Sequence, residues 1–159
     1  MTRELILLFH FIGFGILVTI NIAGFILNSQ YKKASDLQSK AILLRALRPI
    51  GLLSPIGILI MLITGIGNMH MLGLGVLSVG WLTGKIIFFA IAAISGIIFG
   101  ITSRKRGALV AQMLAGTAPS DANQLLSGYD RQVSLSYIVF PVLMLIILWL
   151  SIYGRLGGQ

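Results

Sequence analysis

Few side chains in this sequence can do chemistry, and three of them interrupt long apolar stretches: His10, His70 and Lys85. Ionisable groups in such surroundings are costly to bury, so they are functional candidates by default. Histidine can ligate haem iron or a metal ion. A lysine near it can pair with a propionate or another anion, or shift the pKa of neighbouring groups. His70 lies in the run Asn68-Met69-His70-Met71, which sets a thioether on each side of an imidazole, a soft ligand set suited to Cu(I). His10, His70, Met69 and Met71 are therefore the candidate metal ligands, and His10 with Lys85 is the candidate catalytic pair. A structural role competes with each: Lys85 reaching out to lipid headgroups, His10 bonding a backbone carbonyl, His70 an ordinary interfacial histidine.

Other chemistries lack their residues. There is no cysteine, which excludes disulfides, zinc-thiolate sites and thiol catalysis. Glu4, Asp36, Asp121 and Asp130 are terminal or lie between apolar runs, which argues against a carboxylate proton relay across them. The glycine pairs lack the strand-to-helix setting of a nucleotide-binding loop.

The elements that must position these residues are set by hydropathy. Of 159 residues, 57% are hydrophobic and 10% charged, against roughly 25% charged in soluble domains. Four apolar runs account for the difference: residues 5–27, 50–71, 82–101 and 133–153. Each has about 20 residues, the length of helix that crosses a hydrocarbon layer of roughly 30 Å. The expected fold is all-α, an integral membrane four-helix bundle forming a single transmembrane domain over residues 1–159. The first run is too long for the apolar core of a signal peptide and lacks a small-residue cleavage site, so it reads as a retained helix.

The net charge of +8 is concentrated between the runs. Lys32, Lys33, Lys40, Arg45 and Arg48 separate the first two, and Arg104, Lys105, Arg106 and Arg131 separate the last two, whereas residues 72–80 carry no charge. By the positive-inside rule both basic loops are cytoplasmic and both termini lie outside, with anionic lipids rather than nucleic acid as counterions. Pro49 is expected to open the second helix, after a polar stretch over 28–47. Between helices three and four a cytoplasmic helical loop is expected, with one helix over 107–114 and another, capped by Ser120 or Asp121, running through about Tyr129. Its apolar residues are suited to lying on the membrane surface. Pro141 should kink the fourth helix, and Trp81, Trp149 and Tyr153 fall where interfacial aromatics belong.

Helices in lipid meet through small and polar residues. At about 100° per residue, His10, Gly13, Asn21, Gly24 and Asn28 share one face of the first helix, and Ser54, Gly57, Met61, Thr64, Gly65 and Asn68 one side of the second. On the third, Lys85 shares a side with Ala92 and Gly96, and Ala92-Gly96-Gly100 forms a small-residue ladder. His10 and Lys85 thus belong to the small-residue faces of their helices, near the same membrane surface. Asn21 and Trp81 complete the candidate cofactor-binding set. On a regular second helix His70 points about 150° away from the Thr64 face.

Three segments carry a family resemblance: Leu8-Phe9-His10-Phe11-Ile12-Gly13, Ser54-Pro55-Ile56-Gly57 with Thr64-Gly65, and Gly80-Trp81-Leu82-Thr83-Gly84-Lys85. Together they resemble the HemJ-type protoporphyrinogen oxidases and the wider set of CopD-like small membrane proteins. The resemblance implies haem b, with His10 and Lys85 as the functional pair, an oxidoreductase role and a prokaryotic inner membrane. The sequence departs from that pattern at Leu17 and Val18, where a tryptophan often follows the histidine, and at Thr83, where a histidine often stands beside the lysine. The leading expectation is a haem- or porphyrin-associated bundle with a redox role. The alternatives are a copper-handling protein using His10, His70, Met69 and Met71, and a non-catalytic subunit that packs its small-residue faces against a larger membrane complex; a homo-oligomer is a further possible assembly.

Overall fold

A computed structural model describes residues 2–76 and 78–157, apart from the side chain of Arg155. It contains four helices, α1 (Arg3–Lys33), α2 (Leu37–Met71), α3 (Gly80–Leu114) and α4 (Ala122–Arg155), with no strand among the described residues. All four are long and apolar enough to span a membrane, which makes this a polytopic membrane protein. Successive helices run antiparallel. The main packing is of α1 on α2 and of α3 on α4, while the seams α2/α3 and α1/α4 are thinner and α1 and α3 are diagonal neighbours.

Each helix has 31 to 35 residues. At 1.5 Å per residue that is about 46 to 52 Å, well beyond a hydrocarbon core of roughly 30 Å. The surplus lies at the end that carries the basic residues, and there the bundle has a core like that of a soluble protein. Leu109, Val110, Ala122 and Leu126 are buried together, with Ala41, Leu44, Met113 and Tyr129 packed against them. Along the apolar lengths the large side chains point outward instead, among them Phe11, Ile63, Ile97 and Leu145. Lipid is their complement.

Two boundaries differ from the sequence expectation. Pro49 does not open the second helix: α2 begins at Leu37 and contains both Pro49 and Pro55. Asp36 sets that start, its carboxylate accepting the backbone N–H of Ser39 at 2.7 Å and the Ser39 hydroxyl at 2.8 Å. A proline inside a helix costs about 3 kcal/mol. The turns before Pro49 are nonetheless helical, with Ala41 and Leu44 packed against the basic-end core. Nor are there separate helices between the third and fourth spans. Residues 107–114 are the last turns of α3, and the segment up to Tyr129 is the start of α4, leaving only 115–121 as a connection. Leu109, Val110, Ala122 and Leu126 of these segments bury one another, while Leu114 and Leu125 stay exposed.

Glycine ends both α2 and α3. Gly73 (φ 63°) and Gly116 (φ 69°) take the left-handed conformation, and the backbone N–H groups of Leu74 and Thr117 reach back to the carbonyls of Met69 and Gln112 at 3.0 Å.

Candidate functional site

The α1/α2 interface is built on glycines, and their register fixes what His10 meets. A β-carbon on Gly13 would lie 2.9 Å from Ile60, one on Gly57 2.9 Å from Leu17, and one on Gly67 3.2 Å from Ile6. Ile6 and Gly13 therefore lock α1 onto α2 on both sides of His10. Between those contacts, His10 Nδ1 lies 2.7 Å from the hydroxyl of Thr64, which is itself buried.

The protons of this contact can be assigned. The Thr64 hydroxyl oxygen is also 2.6 Å from the carbonyl of Ile60. Two oxygens that close need a proton between them, a carbonyl has none to give, and the hydroxyl has one. Thr64 therefore donates to Ile60 and accepts from His10 Nδ1–H, so in the neutral imidazole the lone pair sits on Nε2. A β-carbon on Gly65 would stand 4.0 Å from His10 Cε1, so that edge of the ring lies near a glycine of α2.

Lys85 is half-buried in the second turn of α3, at the same end of the bundle as His10 and on the diagonal helix. Trp81, one turn earlier, packs its indole directly against Gly154 of α4, and Gly84 faces Leu150. Asn21 is not brought to this end. It lies about 16 Å along α1 from His10, with its amide 3.4 Å from the Leu17 carbonyl and 3.9 Å from Met144 Sδ. There it lines an apolar groove of about 230 Å³ with Phe14, Val18 and Pro141.

α2 stays helical through Met71, so Met69, His70 and Met71 leave it in steps of about 100°. His70 and Met71 are exposed and Met69 is half-buried. The helix therefore spreads these three side chains rather than converging them. Among the described residues, no three His, Cys, Asp or Glu side chains are grouped to hold a metal ion.

No protein-family model, curated protein or solved structure matches the chain.

A second polar cluster, at the basic end, joins three helices. Arg106 of α3 is fully buried, and its Nη1 donates to Asn28 Oδ1 of α1 at 2.8 Å and to Asp130 of α4 at 3.4 Å. Its guanidinium lies over the ring of the equally buried Tyr31, 4.5 Å from the centroid. Nε and Nη2 of Arg106 and the hydroxyl of Tyr31 are buried without hydrogen-bond partners among the described residues. In the sequence Arg106 reads as one more basic loop residue. The available signal was its spacing within the stripe Thr102, Arg106, Leu109, Val110 and Met113, which recurs at helical intervals.

Proposed function

We propose that this membrane protein binds an iron tetrapyrrole of the haem b type, with His10 as the residue that would hold the iron and Lys85 as the cation for the tetrapyrrole carboxylates, and that it serves in electron transfer. The observation that carries the proposal is the chain of contacts from His10 Nδ1 through Thr64 to the Ile60 carbonyl. Iron-ligating histidines are oriented in this way: one nitrogen donates to a fixed acceptor, which holds the ring and makes the other nitrogen the basic one.

The donor set suits such a group better than a bare ion. A tetrapyrrole brings four nitrogens of its own and needs one or two side chains, whereas a bare copper or zinc ion needs a convergent set supplied wholly by side chains. The diverging Met69, His70 and Met71 and the single oriented imidazole at His10 favour the former. When bound, haem would supply one-electron redox chemistry. Thr64 would hold the imidazole proton on Nδ1.

Titration of the purified chain with haemin tests the proposal. Binding with a Soret shift in the wild type, lost in His10→Ala, is expected. Equal binding by both proteins would remove His10 as the ligand.

A further inference from the structure

At the basic end the thin α1/α4 seam opens into a groove of about 440 Å³. Gly24 marks where the helices touch, because a β-carbon there would lie 2.7 Å from the Tyr137 ring. On the basic side of that contact the groove has two chemically distinct halves. Lys32, Arg131, Ser29 and Asn28 line one, and Phe25, Leu135 and Ile138 line the other. Lys32 and Phe25 are seven residues apart on α1, as are Arg131 and Ile138 on α4, so the halves are offset by about 10 Å along both helices.

The polar half is a donor surface. The Oδ1 of Asn28 accepts from Arg106, which turns its NH₂ toward the groove and Ser134, at a long 3.5 Å. Ser134 gives its proton to the Asp130 carbonyl at 2.6 Å and so accepts from Asn28. The Asp130 carboxylate pairs with Arg106, the one ion pair among the described residues, and no carboxylate lines the groove. Lys32 and Arg131 thus face a cavity with positive charge, N–H and O–H donors, and no counter-anion of the protein's own.

We propose that this groove is a binding site for an anionic phospholipid. Its phosphate is held between Lys32 and Arg131 with the Ser29 hydroxyl and the Asn28 amide, and an acyl chain runs along Phe25, Leu135 and Ile138. The charged half selects an anion, and the exposed apolar half, one helical turn and more into the hydrocarbon, selects one with a tail. The site lies at the opposite end of the bundle from His10 and does not depend on what His10 binds.

Native mass spectrometry of the full chain in mild detergent tests the proposal with phosphatidylglycerol and phosphatidylcholine of the same acyl composition. The wild type is expected to retain one phosphatidylglycerol in preference to phosphatidylcholine by about tenfold, as two cations at a headgroup permit. The double variant Lys32→Gln/Arg131→Gln should lose that preference. Lys33→Gln/Arg104→Gln removes the same charge from exposed residues outside the groove and should keep it. Equal retention of the two lipids by the wild type, or equal loss in both double variants, would overturn the proposal. Displacement of the lipid by excess glycerol phosphate would do so too, because it would make the ligand a free phosphate.

Discussion

His10 and Thr64, 54 positions apart in the chain, meet at 2.7 Å because Ile6 and Gly13 of α1 seat against Gly67 and Ile60 of α2 on either side of them. The contact is therefore a property of the helix register as well as of two side chains. Thr64→Val keeps the shape and removes the acceptor of the Nδ1 proton. Loss of such a partner of a ligating histidine costs about 10- to 100-fold in affinity. The haemin dissociation constant should rise by that factor in Thr64→Val and stay near the wild-type value in Thr64→Ser. An unchanged constant in Thr64→Val would separate Thr64 from the function of His10.

Within the Arg106 cluster, truncating the cation and trimming the aromatic ring beneath it should have very different effects. Arg106→Ala strips the donor from Asn28 and the counter-charge from Asp130. Breaking a buried pair costs about 3–5 kcal/mol, and the partial exposure of Asp130 favours the lower figure. Tyr31→Phe removes a buried hydroxyl that lies beside the Asp130 carboxylate without a close hydrogen bond, and keeps the ring under the guanidinium. Its stability should equal or slightly exceed that of the wild type. Thermal melts in detergent check both, and a marked loss in Tyr31→Phe would mean that its hydroxyl is bonded.

Glycines that look alike in the sequence should behave differently. Gly24→Ala drives a methyl into the Tyr137 ring, an overpacking that typically costs about 1–3 kcal/mol. Gly100→Ala meets nothing within 4 Å, and a helix-interior alanine there should gain about 0.5–1 kcal/mol. Equal effects in a melting series would contradict the described packing.

What the sequence revealed follows from the kind of signal each residue gives. The inward faces of α1 and α2 were legible because small and polar residues recur on one side of each helix. Gly13, Gly24 and Asn28, with Gly57, Met61 and Thr64, are indeed buried. Asn21 shares that face, yet periodicity gives direction and not depth, and the residue lies too far along α1 to meet His10. The Ala92-Gly96-Gly100 ladder is used only in part: Gly96 has Phe140 at 3.5 Å, while Gly100 faces outward. Burial of Arg106 was hidden because charges normally face water, and only a partner set drawn from α1 and α4 makes its burial tolerable. The start of α2 was missed because Pro49 is a strong local signal, while the cap at Asp36 opens a polar turn that becomes a helix through packing at the basic end.

The cap itself is testable by pH. The N–H and then the hydroxyl of Ser39 hold the Asp36 carboxyl below its ordinary value of 3.8. A carboxyl depressed in the folded state stabilises above its unfolded pKa and loses that contribution as pH falls through the folded value. Asp36→Ala should therefore melt below the wild type at neutral pH, and the gap should close on acidification below the ordinary aspartate range. A gap that persists in acid would show that the cap does not depend on the charge.

An oxidised-minus-reduced visible spectrum of the protein purified from membranes in mild detergent, beside His10→Ala, tests the proposed role of His10 most directly. The expected result is a b-type difference spectrum in the wild type that disappears in the variant. A flat spectrum from well-folded wild-type protein, or an identical spectrum in the variant, would contradict it.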